Sequence, residues 1–186
     1  TKTNRQSAIH SEQFLLSIVY CLRFTANCLL PTAYSFSQPP GEWTWMHGEN
    51  IPNSPGVFGI QVIANSANQP PALYESCEWK DNNGNFWLYG GSKGGDAYTA
   101  LWKYDPSINQ WTWMKGPSVT NQLGVYGTQG VPSTSNYPGA RGFGITTWTD
   151  ASGNLWLYGG AGFMGVAYFN DLWKYNISTN EWTWVK

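Results

Sequence analysis

Apolar residues in this chain follow two patterns that are both typical of β-strands. Phe86-Trp-Leu-Tyr89 and Leu155-Trp-Leu-Tyr158 are unbroken apolar runs, and a pair of glycines follows each of them. Runs of this length without polar alternation predict strands with both faces buried. Trp111-Thr-Trp-Met114 alternates apolar and polar side chains, which predicts a strand with one covered face. The pattern therefore predicts an all-β protein.

These elements recur in a fixed order along the chain. Trp43-Thr-Trp-Met46 returns 68 residues later at Trp111 and, after a further 71 residues, at Trp182. Leu101-Trp-Lys-Tyr-Asp105 returns as Leu172-Trp-Lys-Tyr-Asn176. Internal repetition of this kind is the signature of architectures built from stacked, similar units.

Each repeat is predicted to contain four antiparallel strands. The first covers about residues 72–80 in one repeat and 141–149 in the next, and a turn rich in Asn, Asp and Gly joins it to the apolar run. The Leu-Trp-Lys-Tyr segment is the third strand, and the Trp-Thr-Trp segment is the fourth. Because the strands alternate in direction, the loop between the second and third strands should lie on the same side as the linker between repeats.

The amino-acid composition agrees with the prediction of an all-β protein and limits the classes of binding partner. The chain has 12 Trp, 11 Tyr and 21 Gly, and 11% of its residues are charged. Aromatic residues favour strands, and glycine favours tight turns. The formal net charge of −1 leaves no electrostatic footprint for nucleic acid or for an anionic membrane surface. We therefore expect a protein or glycan partner and no nucleic acid.

The paired glycines and the aromatic residues that follow them resemble the kelch motif, in which a double glycine ends an apolar strand and six residues separate a later Tyr from a Trp. The matching residues are Gly90, Gly91, Tyr104 and Trp111 in one repeat and Gly159, Gly160, Tyr175 and Trp182 in the next. The resemblance covers residues 43–186. It implies a fragment of a kelch-type β-propeller of about two four-stranded blades, as in the central domain of galactose oxidase and in long exported bacterial kelch proteins.

The linkers between repeats depart from the usual kelch pattern. Repeats of 68 and 71 residues exceed the usual length of about 50 because the linkers are long. Gly56-Val-Phe-Gly-Ile-Gln61 matches Gly124-Val-Tyr-Gly-Thr-Gln129, so we expect ordered linkers, with Phe58 and Tyr126 packing them onto the propeller.

The number of repeats also departs from the pattern of a closed propeller. Propellers close with about four to eight blades. Two repeats are therefore expected to be part of a longer protein; the alternative is that several chains share one ring. The isolated chain should leave two aromatic faces uncovered, and surfaces of this kind are associated with aggregation.

The chain is predicted to divide into six segments, beginning with a leader that resembles a signal peptide. Lys2 and Arg5 precede the apolar run Phe14–Leu22, and the small residues Ala33 and Ser35 follow it. This order predicts a secreted or cell-surface protein; the alternative is a disordered or mistranslated leader. The segments are the leader (1–35), the last strand of a preceding blade (36–46), a linker (47–71), a blade (72–115), a second linker (116–139) and a second blade (140–186).

The predicted binding surface is the side of the molecule with long loops, which we call the loop face. It comprises residues 92–98, residues 161–169 and the two linkers. Binding residues commonly lie on loops held by a rigid scaffold. The alternative is that these side chains only cover the base of the loops. The candidate contacts are Lys93, Asp96, Tyr98, Phe163, Met164 and Tyr168. The repeated tryptophans are expected in the core between blades, with stacking on sugars as the alternative for any that are exposed.

No catalytic residue, metal ligand or cofactor is predicted. The resemblance to galactose oxidase raises copper chemistry, but the chain has two histidines, His10 and His47, and Cys77 has no counterpart in the second repeat. The copper ligands of that family therefore have no matching positions here. The segment Asp81–Asn85 places oxygen atoms at alternate positions, as calcium loops do, but it lacks the remaining ligands, so a plain hairpin is the favoured interpretation.

We expect a non-catalytic binding module that contacts its ligand through the loop face. Two alternatives stay open. The chain could be the propeller part of a carbohydrate-active or galactose-oxidase-like enzyme whose catalytic residues lie elsewhere, or a structural segment of a surface array.

Overall fold

The part of the chain described by the computed structural model, residues 41–162 and 167–186, contains ten β-strands and no helix. No helix among these residues is therefore long and apolar enough to cross a membrane. The predicted leader lies outside the described residues, and so do Phe163 and Met164. The strands are β1 (Cys77–Lys80), β2 (Phe86–Tyr89), β3 (Ser92–Lys93), β4 (Asp96–Ala97), β5 (Leu101–Asp105), β6 (Gln110–Lys115), β7 (Thr146–Thr149), β8 (Leu155–Ala161), β9 (Tyr168–Asn176) and β10 (Glu181–Trp184).

Eight of these strands form two antiparallel sheets of four strands each. The first sheet has the order β1-β2-β5-β6, the second has the order β7-β8-β9-β10, and the small β3–β4 hairpin is inserted between β2 and β5. The prediction of an all-β chain with antiparallel sheets is confirmed. The first strand of each sheet begins later than predicted because Glu75 (φ 55°) and Gly144 (φ 62°) adopt left-handed backbone conformations that interrupt the extended chain.

The core lies between the two sheets and is mainly aromatic. Trp87 packs against Tyr175, and Tyr89 packs against Trp182, each with ring centroids 5.6 Å apart. Tyr89 also donates its hydroxyl hydrogen to the carbonyl of Pro138 at 2.6 Å. The buried cluster consists of Cys77, Trp79, Trp87, Tyr89, Leu101 and Met114 from the first sheet and Leu155, Leu157, Trp173, Tyr175 and Trp182 from the second.

The composition of the apolar runs in β2 and β8 predicts burial on both faces, but only one face of each run is buried. Phe86 in β2 and Tyr158 in β8 are each 46% exposed, while Trp87 and Leu157 beside them are fully buried. Each sheet packs on its neighbour through one face, and the exposed residues belong to the other face. The runs therefore have a covered side and an open side.

An aspartate closes the hairpin between the first and second strands of each sheet. Asp81 Oδ1 accepts hydrogen bonds from the backbone N–H groups of Asn83 and Asn85, each at 2.9 Å. Its Oδ2 accepts from the Asn85 amide and from Trp87 Nε1, also at 2.9 Å. Asp150 makes the same set of bonds in the second sheet. Donors occupy both carboxylate oxygens, which supports a plain hairpin.

The residues that match the kelch motif fix turns and close contacts. Tyr104 donates its hydroxyl hydrogen to Asn109 in the β5–β6 turn at 2.8 Å, and Tyr175 makes the same bond to Asn180. Both asparagines have left-handed backbones, which asparagine tolerates better than most residues. Gly90 also has a positive φ, and a Cβ there would collide with the carbonyl of Arg141.

The two linkers are ordered and run along the outer edges of the sheets. Phe58 packs on Trp102 and Trp113 with ring centroids 4.9 and 5.2 Å apart, and Tyr126 packs in the same way on Trp173 and Trp184. The predicted packing role of this aromatic pair is confirmed. The linkers do not stay on the loop face, however: the N–H of Val62 bonds to the carbonyl of Trp113, so the linker covers an edge strand whose backbone groups would otherwise lack partners.

The segment 36–46 is predicted as the last strand of a preceding blade; its described part, residues 41–46, is not in a strand, and residues 36–40 lie outside the described residues. A strand at this position needs a neighbour to supply ladder hydrogen bonds, and the described residues provide none there. The prediction for this segment stays untested.

Candidate functional site

The loop face is held together by the β3–β4 hairpin, which bonds to both linkers. Lys93 Nζ donates to the carbonyls of Asn53 and Ser54 in the first linker, at 3.0 and 3.1 Å. Asn121 in the second linker accepts from the backbone N–H of Ala97 at 3.0 Å and donates to Asp96 at 2.7 Å. The hairpin and both linkers therefore meet on one side of the molecule, as the alternation of strand direction predicts.

The candidate contacts predicted on this face differ in how accessible they are. Lys93 and Asp96 lie opposite each other in the hairpin and are half-buried, and the bonds just described already engage them. Tyr98 is 9% exposed and stacks on Phe58, and burial raises the pKa of its hydroxyl. Tyr168 is 82% exposed and pairs with Ala161 at the start of β9.

A pocket of about 320 Å³ opens on the loop face between the second linker and the residues next to the end of β8 and the start of β9, Gly162, Ala167 and Phe169. Its walls are mostly glycine, alanine and aromatic residues, so a ligand would meet an apolar surface. Leu123 stands at the pocket with 88% of its surface exposed. The lining residues are Asn121, Gln122, Leu123, Gly124, Tyr126, Gly139, Ala140, Gly162, Ala167 and Phe169.

A buried ion pair lies beneath this pocket. Arg141, which is fully buried, donates to Asp171 through two nitrogens at 2.7 and 3.0 Å. The guanidinium also bonds to the carbonyls of Gly139 and Gly159 and lies 4.0 Å from the ring centroid of Phe169. Tyr126 donates its hydroxyl hydrogen to Asp171 at 2.5 Å, so one pocket wall is tied to the ion pair.

The pKa values of this cluster follow from burial and mutual charge. Burial raises the pKa of Tyr126 to about 12, and its hydrogen bond to the Asp171 carboxylate adds to the shift. Burial is the largest single effect on the pKa of Asp171 and tends to raise it, but the bonds and charge of Arg141, together with the bonds from Tyr126 and Trp173, make the net shift downward. The ion pair thus stays charged and the phenol neutral at physiological pH.

The first repeat has an apolar counterpart of this cluster. Leu73 stands where the second repeat has Arg141, because Ala72 bonds to the first linker as Ala140 bonds to the second, and Ala100 stands where the second repeat has Asp171. Phe58 replaces Tyr126, so all three polar groups are absent together. Sequence reasoning did not identify the cluster, although a comparison of the repeats at the positions where they differ would have revealed three matched changes.

The described residues offer little for metal or nucleophilic chemistry. They contain no group of three or more His, Cys, Asp and Glu side chains placed to hold a metal ion. Cys77 is buried, and burial raises the pKa of its thiol to about 12, so it is not a ready nucleophile.

Comparison with known proteins identifies no relative: neither a protein-family model nor a curated protein matches the chain. The function must therefore be argued from the geometry of the site.

Proposed function

We propose that the chain is a non-catalytic binding module formed by consecutive blades of a kelch-type β-propeller, and that it takes its ligand in the loop-face pocket. Two features support the propeller. Each repeat forms a four-stranded antiparallel meander, and the two sheets pack face to face through an aromatic core. The residues that resemble the kelch motif occupy equivalent positions in both sheets.

The single observation that carries the binding role is the pocket beside Leu123. An apolar cavity of about 320 Å³ is typical of a ligand site, and Leu123 beside it offers a ligand further apolar surface. The buried ion pair beneath it fixes Tyr126 and Gly139, so the walls are preorganised. We therefore assign the ligand as an apolar side chain of a protein partner.

The β3–β4 hairpin has a supporting role in this proposal. The polar groups of Lys93 and Asp96 form hydrogen bonds with the two linkers, and Tyr98 is buried against Phe58. These residues hold the loops in place and leave contact with the ligand to the pocket walls.

The test uses N-acetylphenylalaninamide as a probe for an apolar side chain and methyl glucoside as the glycan control, each at up to about 10 mM because single fragments bind weakly. We expect the first probe to shift the amide resonances of Gly124 and Gly139, and the second to leave them unchanged. Ala167→Trp should fill the pocket and abolish the shifts. Ser135→Trp, at an exposed site in the second linker that does not line the pocket, should preserve them. Absence of shifts with both probes would overturn the proposal, and shifts with methyl glucoside alone would reassign the pocket to glycans.

A further inference from the structure

The open face of the second sheet presents a row of aromatic side chains, which we call the outer aromatic row: Trp148, Trp156 and Tyr158. Trp148 and Trp156 are opposite each other in β7 and β8, and their rings stack 5.6 Å apart at an angle of 10°. Trp148 is 42% exposed, and Tyr158 is 46% exposed. Large aromatic surface of this kind favours coverage by another molecule.

The first sheet contains the same row in a buried setting. Trp79, Trp87 and Tyr89 occupy the matching positions and have the same pairing of tryptophans across the first two strands. They are 5%, 0% and 0% exposed because the second sheet covers them. The same residue types in the same register therefore already form a sheet-to-sheet interface within this molecule.

The surface that covers the buried row also has an open counterpart. Trp87 and Tyr89 pack on Tyr175 and Trp182 of the second sheet, and Leu155 lies beside these in the same cluster. The matching residues on the open face of the first sheet are Phe86, Tyr104 and Trp111. Phe86 is 46% exposed and Trp111 is half-buried, whereas Tyr104 is 9% exposed and is in edge contact with His47. Leu155 in the existing interface is fully buried. The molecule thus carries both halves of its own interface on opposite faces.

The hydrogen-bond donors of the two rows also indicate that the open row can be covered by a sheet. In the existing interface, Trp79 Nε1 donates to the carbonyl of Trp156 at 2.9 Å, and Tyr89 donates to the carbonyl of Pro138 at 2.6 Å. The matching donors, Trp148 Nε1 and the Tyr158 hydroxyl, have no protein partner within the described residues. A sheet docked on the outer row as the second sheet is docked on the first would supply acceptors for both.

We propose that a second copy of this chain docks the open face of its first sheet, centred on Phe86, on the outer aromatic row. The contact is head-to-tail, so each copy uses two different surfaces. It does not involve the loop-face pocket and does not depend on the function assigned to that pocket.

Sedimentation velocity on the full chain tests the contact. We expect self-association that increases with protein concentration. Tyr158→Lys and Phe86→Lys should each weaken it by at least about a hundredfold, because a buried charge without a partner replaces a central aromatic contact. Ile60→Lys is the matched control: Ile60 is 73% exposed in the first linker, away from both faces, and its counterpart Thr128 is already polar.

Mixing the two variants separates this contact from nonspecific aggregation. Each variant retains the face that the other has lost, so an equimolar mixture should form a 1:1 heterodimer that cannot grow further. Near-UV circular dichroism establishes that the variants are folded, and Trp148→Glu replaces Tyr158→Lys if that variant is not.

Three outcomes would overturn the proposal. The first is a wild-type chain that stays monomeric up to about 100 µM, a range in which weak specific contacts are detectable. The second is that the variants still associate, and the third is that the mixture does not form a heterodimer. If the wild-type chain is monomeric, tryptophan quenching by cellohexaose would assign the row to sugar stacking.

Discussion

Asp81 and Asp150 hold the same hairpin with the same bonds at different depths in the molecule. Asp81 is 6% exposed and accepts from the indole of Trp87, which is fully buried. Asp150 accepts from Trp156, whose side chain is only half-buried. A buried donor that loses its acceptor retains the cost of desolvation, whereas water can replace the acceptor of an accessible donor.

We therefore expect Asp81→Ala to lower the free energy of unfolding by about 3 kcal/mol and Asp150→Ala to lower it by less than half as much. Urea unfolding in the Tyr158→Lys background measures both without a contribution from self-association. Equal losses would show that burial of the indole does not set the cost.

The same carboxylates predict how stability depends on pH. The bond from Trp156 and those from Asn154 lower the pKa of Asp150 from 3.8 to about 2. Burial opposes the downward shift of the pKa at Asp81, but the bonds from Asn85 and Trp87 outweigh it. A carboxyl group with a lower pKa in the folded state stabilises the fold above its unfolded pKa, and this contribution is lost as the pH falls through the folded value.

The free energy of unfolding should thus be level from about pH 7 to pH 5 and fall between about pH 4 and pH 2. Asp150→Asn should make that fall shallower. Urea unfolding at several pH values measures both effects, and a variant that retains the full wild-type slope would contradict the assignment.

Arg141 and Asp171 form a buried pair whose members depend on each other. Removing one partner leaves an uncompensated charge, so we expect Arg141→Ala to cost about 3–5 kcal/mol. The triple variant Arg141→Ala, Asp171→Ala, Tyr126→Phe removes all three polar groups together and should be more stable than Arg141→Ala alone. Urea unfolding of both variants checks this order. Losses that simply add would mean that the three groups act independently.

At the scale of elements, much of the fold could be predicted because strand and turn signals are local. The repeated Asp and Gly positions predicted the hairpins, and the apolar runs located β2 and β8. The late start of β1 depends on the backbone of Glu75, a residue type that carries no such signal. The path of the linkers was missed because it depends on a distant edge strand that a local pattern does not reveal.

The buried amides of Asn68 and Asn136 fasten the linkers to those edges. Asn136 is 1% exposed, and its Nδ2 donates to the carbonyls of Val131 and Trp182, each at 3.2 Å. Asn68 makes the same pair of bonds to Ile63 and Trp111. One side chain thus joins the turn of the linker to the outer strand.

We expect Asn136→Ala to release the second linker from β10. Amide exchange at Gly130 and Ser133, which bond to the carbonyls of Trp184 and Trp182, should accelerate at least about tenfold if local opening limits exchange. Thr128→Ala, an exposed site in the same linker, should leave these rates unchanged. Hydrogen exchange followed by NMR distinguishes the two results, and unchanged protection in Asn136→Ala would contradict the role of the amide.

At the scale of the whole molecule, the two sheets share one aromatic core and should unfold together. The loop-face surface was predictable in outline, since strand direction alone placed the linkers beside the β3–β4 hairpin. The pocket itself was not predictable, because its walls come from segments that only the packed sheets bring into contact. The buried position of Tyr98 likewise depends on Phe58, which lies 40 residues earlier in the chain.

Substitutions of Trp79 and Trp148 test how strongly the two sheets are coupled in unfolding. We expect Trp79→Ala to lower the free energy of unfolding by about 3–5 kcal/mol, because it empties a buried site and removes a bond to the other sheet. Trp148→Ala, at the matching exposed position, should cost about 1 kcal/mol or less in the monomer. Calorimetry of Trp79→Ala should still show one transition. Two separate transitions would mean that each sheet is an independent folding unit.

The order in which the chain pairs its linkers has a consequence for its synthesis on the ribosome. Asn68 precedes the strand residue it binds by 43 positions, and Asn136 precedes its partner by 46. Each linker therefore leaves the exit tunnel before the strand that it will cover, and it is available for hydrogen bonding when that strand emerges. An edge strand made in this order need not pass through a stage in which neighbouring nascent chains can pair with it.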